Sequence, residues 1–168
     1  MAPRIIIREP EHTYDTLETY ERIEAELCKH PWGVHWLTHG RTFPVDQKQW
    51  HEEQFCRPRH CYQNALTACL STSKVYLEEG FETDIRYAEG LMVDETGIYM
   101  HAWCTFDGKV RDFSHPEEAH KYLYFGIAFD VAFTWKVQWG GKIVYPGFIP
   151  RWKRTEQFVV PYLEKGGI

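Results

Sequence analysis

Three residues whose side chains could together transfer an acyl group follow one another along the chain. Cys61 stands in the string Arg-His-Cys-Tyr-Gln-Asn-Ala, His101 opens His-Ala-Trp forty residues later, and Asp112 comes eleven residues after the histidine. A thiol can attack a carbonyl carbon, an imidazole can carry the proton, and a carboxylate can fix the imidazole's tautomer. The residue types and their order therefore predict a catalytic triad of Cys61, His101 and Asp112.

Length and composition favour one globular domain in the cytoplasm. The chain has 168 residues, 43% of them hydrophobic and 16% aromatic, and its net charge of −5 gives no support to nucleic-acid binding. No apolar run approaches the roughly 18 residues that span a bilayer. The five cysteines show no disulfide rhythm, which suits a reducing compartment. We expect a cytoplasmic protein that binds no membrane.

Helical patterns precede strand patterns along the chain. Thr13 predicts the cap of a helix over 14–30, and small and apolar residues predict a second helix over 61–79 that ends at Gly80. A long ordered loop with a short helix at 46–54 is expected between them. Strand character occurs at 5–7, 84–93, 98–106, 109–113, 122–129, 133–138 and 143–145. This order indicates an α+β fold.

Within one domain over 1–168, the patterns suggest three parts. Residues 1–54 form a helical and loop extension, 55–130 the catalytic core, and 131–168 C-terminal strands and a tail.

The pair Asp107-Gly108 predicts a two-residue type I′ hairpin turn. Counting outward from this turn places Trp103 opposite Asp112, with His101 two residues further along the same strand. Residues two apart on a strand share a face of the sheet, so His101 and Asp112 become diagonal neighbours, about 7–8 Å apart between their backbones. That spacing allows a hydrogen bond between imidazole and carboxylate.

Cys61 is predicted to lie in the first turn of its helix. Free backbone N–H groups and the helix dipole favour the thiolate form of a cysteine there. We expect this helix to pack against the sheet face that carries His101, which would bring thiol and imidazole together.

These motifs resemble the core of the papain-like cysteine enzymes, in their transglutaminase-like branch, and a group of bacterial and bacteriophage proteins. The matching strings are Cys61-Tyr-Gln-Asn-Ala65, Tyr87-Ala-Glu-Gly90, His101-Ala-Trp103, Asp112 and Tyr124-Phe-Gly126. The resemblance covers about residues 55–130. It implies that Cys61 is the nucleophile, His101 the general base and then acid, and Asp112 the orienting carboxylate. Related cores usually continue after this aspartate with Pro-Thr, where Phe113-Ser114 stands here.

Four further residues are candidates for contact with substrate or with the developing oxyanion. Gln54 is a candidate second donor beside the Cys61 backbone N–H, and Asn64 lies early on the same helix. Glu89 precedes a glycine that allows close approach, so it is a candidate for substrate contact or for support of the site. Trp103 shares the face of His101 and is expected to be core rather than a substrate platform.

The predicted reaction is hydrolysis of an amide in a protein, a peptide or a small molecule through a thioester, without a metal or organic cofactor. A zinc site is one alternative, with candidate ligands Cys56, His60 or Cys61, His101 and Cys104. It is disfavoured because His101 and Cys104, three apart on a strand, point to opposite faces. A second alternative is a binding protein on this fold, phage-encoded and contacting a host factor through the aromatic-rich segment 30–55.

Overall fold

The computed structural model describes residues 4–7, 16–51, 56–138 and 147–167, which form an α+β fold. The strands are β1 (Arg4–Ile7), β2 (Arg41–Phe43), β3 (Lys48–His51), β4 (Ile85–Val93), β5 (Ile98–Phe106), β6 (Lys109–Arg111) and β7 (Leu123–Asp130). The helices are α1 (Leu17–Leu27), α2 (Gly33–His39), α3 (Cys61–Glu79), α4 (Val131–Gln138) and α5 (Trp152–Glu164).

A five-stranded antiparallel sheet in the order β2-β7-β4-β5-β6 is the centre of the fold, and β1 and β3 form a separate antiparallel pair. The predicted strands at 5–7, 84–93, 98–106, 109–113 and 122–129 are confirmed, with shifts of a residue or two at their ends. In the register, His101 of β5 pairs with Gly90 of β4, which pairs with Gly126 of β7.

The two glycines in this row are required by close packing. A Cβ atom at Gly90 would lie 2.1 Å from the Phe125 carbonyl oxygen, and one at Gly126 would lie 2.7 Å from the Trp103 ring. Real Cβ atoms do not approach other atoms this closely, so a side chain at either position would force the strands or the indole to move. Gly126 therefore makes room for the Trp103 ring, and Gly90 makes room for the neighbouring backbone of β7.

The two faces of the sheet bury different sets of side chains, as the two-residue period of a strand requires. The first face, which α3 covers, includes Tyr87, Leu91, Ala102, Cys104 and Ile127. The second face buries a smaller cluster of Phe43, Ala88, Met92, Trp103, Val110, Tyr124 and Ala128.

Helix α3 agrees with its prediction at both ends. Ala65, Leu66, Ala68 and Cys69 are buried on one side of it, and Gly80 ends it in the left-handed region with φ of 76°. The Cys104 thiol on β5 donates to the Ala65 carbonyl oxygen at 3.1 Å. Small side chains at Ala65 and Ala68 thus permit close contact between the helix and the sheet.

Several predictions for the N-terminal third were wrong in detail. Helix α1 is capped by Thr16, whose hydroxyl accepts from the Thr19 N–H at 3.2 Å, so it does not begin after Thr13. The expected loop contains α2 and β2, and residues 48–51 form β3 where a helix over 46–54 was expected. Strand β3 is held by pairing with β1, more than forty residues earlier in the sequence, which a local pattern does not record.

The C-terminal strands and tail predicted over 131–168 were also wrong. Residues 131–138 form α4, whose start is held by Asp130: its carboxylate accepts from the Phe133 N–H at 2.6 Å. Tertiary packing and this cap outweigh the strand preference of the β-branched and aromatic residues. Helix α5 buries Trp152, Thr155, Val159 and Leu163 at helical spacing. The strand expected at 143–145 lies outside the described residues.

No helix within the described ranges combines the length and apolar character needed to cross a bilayer.

Candidate active site

The β5–β6 hairpin brings His101 and Asp112 together. Asp107 and Gly108 both have positive φ, 50° and 76°, and Phe106 pairs with Lys109, so the predicted two-residue turn and its register are confirmed. Strand β6 ends at Arg111, and the next residue, Asp112, turns its carboxylate to His101. The His101 Nε2 to Asp112 Oδ2 distance is 2.7 Å. Both side chains are almost fully buried, with exposed fractions of 3% and 1%.

Asp112 is held by hydrogen bonds to both of its carboxylate oxygens. The Tyr124 hydroxyl donates to Oδ2 at 2.8 Å, and the backbone N–H groups of Ser114 and His115 donate to Oδ1 at 2.8 and 3.2 Å. The Asp112 N–H itself donates to Gln49 Oε1 at 2.9 Å. A carboxylate with this many donors keeps one orientation, and that orientation fixes the imidazole.

The electrostatics of the pair favour its ionised form. Burial by itself would raise the pKa of Asp112, but the charge and hydrogen bond of His101 and the donation from Tyr124 hold it below its ordinary value. Burial acts to lower the pKa of His101, and the opposing effects of Asp112 and of Cys61 raise it to about 10. The arrangement therefore stabilises an imidazolium next to a carboxylate.

The Cys61 side chain lies close enough to the His101 ring to contribute to the rise of its pKa. Because Nε2 is engaged by Asp112, Nδ1 is the ring nitrogen available to the thiol. Cys61 is only partly buried, so the sulfur lies between the buried pair and the surface. The structure thus brings together the three residues of the predicted triad.

The N-terminus of α3 is attached directly to the segment that follows Asp112. Asn64 is buried, and its side-chain amide donates to the Arg57 carbonyl oxygen at 2.8 Å and to Ser114 Oγ at 3.1 Å. The first bond closes the turn that precedes Cys61, and the second ties the helix to the aspartate's own loop. Asn64 therefore holds the framework of the site, and its amide nitrogen is already occupied.

The expected approach of α3 to His101 was wrong. The helix packs on the face of Ala102 and Cys104, whereas His101 lies on the face of Trp103 and Tyr124. Contact is still possible because β6 pairs only with Cys104–Phe106, which leaves the outer edge of β5 open beside His101. Asn64 in the first turn of α3 bonds Ser114, two residues after the aspartate that holds His101, and this bond connects the helix start to the neighbourhood of the imidazole.

The remaining candidates have distinct outcomes. Glu89 is fully buried, and its oxygens accept from the Tyr87 hydroxyl and from the Phe148 and Ile149 N–H groups, so direct substrate contact was a wrong expectation. Trp103 is also fully buried and stacks beside His101 with ring centroids 6.3 Å apart, as expected for a core residue. Gln54 lies outside the described residues.

The sequence did not predict the roles of two residues of the site, Tyr124 and Gln49. Tyr124 was placed on its strand, but nothing in the local pattern indicated that its hydroxyl would reach Asp112. Gln49 lies on β3, which was not predicted, and its buried amide also donates to the Val110 carbonyl oxygen at 2.9 Å. A polar residue at a buried position of a strand is the only signal that could have indicated either role.

The ligand set of the zinc alternative is not assembled. The Cys104 thiol points to α3 on the face opposite His101, where it contacts Ala65 and Cys69. Across the ranges that the structure describes, no three His, Cys, Asp or Glu side chains converge as metal ligands would.

Fold and site together define an α+β protein in which a helix-initial cysteine meets a buried histidine–aspartate pair at the rim of an antiparallel sheet. No protein-family model, curated protein or solved structure matches the chain.

Proposed function

We propose that this protein is a cysteine-dependent acyl-transfer enzyme of papain-like, transglutaminase-like architecture that hydrolyses an amide. The observation that carries the proposal is the buried hydrogen-bonded series of His101, Asp112 and Tyr124, with the Cys61 side chain close to the imidazole. A histidine buried only for packing would need neither a fully bonded carboxylate on its ring nitrogen nor a partly exposed thiol beside the ring.

The chemistry follows from this series. With the proton held on His101, the Cys61 thiolate attacks the carbonyl carbon, a C–S bond forms, and the carbonyl π electrons move to oxygen. Collapse of the tetrahedral intermediate breaks the C–N bond, and the imidazolium gives its proton to the leaving amine. A thioester on Cys61 remains, and His101 is then neutral.

The second half returns the enzyme to its starting state. Neutral His101 removes a proton from a water molecule, whose oxygen attacks the thioester carbon, and the C–S bond breaks to release the acid and the thiolate. Asp112 keeps the imidazole in one orientation throughout and stabilises its charged form. An amine in place of water would give transfer instead of hydrolysis.

The oxyanion would be stabilised at the start of α3. The Cys61 backbone N–H is in the first turn, where N–H groups have no acceptor within the helix, and the His60 side chain does not cap them. Gln54 stays our prediction for the second donor. The reaction requires no cofactor, and a protein, a peptide or a small amide would present the same carbonyl group.

The proposal is tested by the reactivity of Cys61. Iodoacetamide is added below pH 7, and alkylation of each cysteine is followed by peptide mass spectrometry, with N-acetylcysteine as the free thiol. We expect Cys61 to react at least about tenfold faster than Cys28, which is exposed but has no such partner series. p-Nitrophenyl acetate then tests acyl transfer, by a gain of one acetyl group that Cys61→Ser abolishes and Cys28→Ser retains.

Equal reactivity of Cys61, Cys28 and the free thiol would overturn the proposal. That result would favour the alternative of a binding protein, in which Cys61→Ala leaves the biological effect intact.

A further inference from the structure

Glu89 is a buried carboxyl group that the proposed chemistry does not use. It lies on the α3 face of β4, where the Tyr87 hydroxyl donates to Oε1 at 2.7 Å. The Phe148 N–H donates to the same oxygen at 2.5 Å, and the Ile149 N–H donates to Oε2 at 2.8 Å. A charged or ionisable side chain that is completely buried is costly unless it has partners, so such a residue calls for a specific explanation.

Its two backbone partners, the Phe148 and Ile149 N–H groups, belong to one short segment, residues 147–151, which we call the C-terminal turn. Glu89 accepts from two N–H groups near the start of this turn. Thr155, a residue of α5, donates through its Oγ1 to the Phe148 carbonyl oxygen at 2.9 Å. The Gly147 N–H donates at 2.8 Å to Oε1 of Gln138, the last residue of α4. The turn is therefore fixed from the sheet and from both C-terminal helices.

The C-terminal turn lies against the residue that follows the proposed nucleophile. A Cβ atom at Gly147 would be 2.9 Å from Cδ1 of the Tyr62 ring, and the φ of this glycine is +112°. Only glycine fits both the backbone conformation and this contact. Burial and the negative charges of Glu89 and Cys61 raise the pKa of Tyr62, which places the phenol near both groups.

The register gives a second connection to the site. Glu89 pairs with Ala102, the residue after His101, and both point to the face opposite the imidazole. The carboxyl group therefore supports the sheet directly behind His101, while the turn that it holds supports the start of α3.

We propose that Glu89 is a positioning residue for the acyl transfer proposed above: it clamps the C-terminal turn against the sheet, and the turn fixes Tyr62 and thereby Cys61 relative to His101. The inference rests on the proposed function, since it concerns the same thiol.

The ionisation of Glu89 gives the clamp a measurable signature. Burial raises the pKa of Glu89 to about 7, although the Ile149 N–H, the Tyr87 hydroxyl and the Phe148 N–H act to lower it. Within the part of the chain that the structure describes, the titratable groups that face it are Tyr87 from its own strand and Tyr62 from α3, both with raised pKa values. α2 presents the neutral Trp36 indole, which donates to the Glu89 carbonyl oxygen. Ionisation at Glu89 should therefore change the pH profile of Cys61 alkylation near neutrality.

Glu89→Gln tests the clamp. The Phe148 and Ile149 N–H groups donate to different oxygens of Glu89, whereas a glutamine side chain has only one oxygen that can accept. We expect amide exchange at Phe148 or Ile149 to accelerate about tenfold, as one hydrogen bond is lost. We expect Cys61 alkylation by iodoacetamide to slow about tenfold and its profile to lose the inflection near pH 7. Glu95→Gln, at an exposed position between β4 and β5, is the matched control and should leave both unchanged.

Each result has a defined meaning. Faster exchange with unchanged alkylation rate and profile would overturn the positioning role, and unchanged exchange would overturn the clamp. If Glu89→Gln does not fold, Thr155→Val removes the bond from α5 to the Phe148 carbonyl oxygen with nearly the same side-chain shape, and it is judged by amide exchange and by the Cys61 alkylation rate. If Cys61 of the wild type is alkylated no faster than Cys28, the proposed function itself is refuted. If Cys61 is alkylated fast in the wild type and equally fast in Glu89→Gln, only this inference is refuted.

Discussion

Replacing Asp112 with asparagine removes the charge of the triad carboxylate but keeps its shape. In the wild type, Oδ1 accepts from the Ser114 and His115 N–H groups and Oδ2 from His101 and Tyr124. The asparagine oxygen would keep the two backbone donors, because an amide nitrogen cannot accept from them. The NH₂ group would then face His101 Nε2.

That change reverses the roles on the imidazole ring. Nε2 must lose its proton to accept from the new amide, so a neutral ring carries its proton on Nδ1, the nitrogen that faces Cys61. The thiol then faces a donor and has no base. The buried ion pair is also broken, which typically destabilises a protein by about 3–5 kcal/mol, less where the histidine can become neutral.

The alkylation rate of a thiol depends on the fraction of it that is ionised. An ordinary thiol is only a few per cent ionised at pH 7, so the thiolate–imidazolium pair of the proposed mechanism should be alkylated up to about 30-fold faster than a free thiol. In Asp112→Asn we therefore expect an approximately 30-fold slower reaction at pH 7, and a rate that rises about tenfold per pH unit below pH 8. The wild-type rate should rise much less steeply with pH over the same range.

The assay is iodoacetamide alkylation of Cys61 between pH 5.5 and 8.5, with cooperative thermal unfolding as the test of folding. Asp130→Asn is a suitable control, because Asp130 likewise accepts from a tyrosine hydroxyl, Tyr162 at 2.7 Å, but lies outside the site. A folded Asp112→Asn with the wild-type rate at pH 6 and 7 would refute the reasoning that this carboxylate governs the thiol.

Three further outcomes are expected. Tyr124→Phe removes one bond to the buried carboxylate and should lower the free energy of unfolding by about 1.5–3 kcal/mol in urea titrations; an unchanged value would mean that the hydroxyl is not needed to hold Asp112. Gly126→Ala places a Cβ atom 2.3 Å from the Glu89 carbonyl oxygen and should cost about 3 kcal/mol, so a melting temperature equal to that of the wild type would contradict the described register. Because the pKa of Glu89 is raised to about 7 from 4.5, its contribution to stability is complete below about pH 4.5 and is lost as the pH rises to 7. The wild type should thus lose up to about 3 kcal/mol relative to Glu89→Gln between pH 4.5 and pH 8, measured by urea unfolding of both, and parallel curves would show that Glu89 does not titrate in this range.

The sequence alone determined the parts of the site that depend on neighbours along the chain. The turn at Asp107-Gly108 is set by two adjacent residues that tolerate positive φ, and the strands on either side follow their two-residue period. From these, the hydrogen bond between His101 and Asp112 could be derived by counting. Helix α3 and its end at Gly80 follow in the same way from helical spacing and from one glycine.

Only the tertiary structure decided which face of the sheet α3 covers. The pattern of small residues on α3 indicates close packing but does not specify a face, and the approach of Cys61 to His101 accompanies a bond between the helix start and the segment after Asp112. The bond from Tyr124 to Asp112 and the clamp at Glu89 likewise join residues of different elements, and α4 forms where the local pattern favours a strand. Local patterns record preferences over a few residues, whereas these contacts arise when buried polar groups find partners in the assembled core.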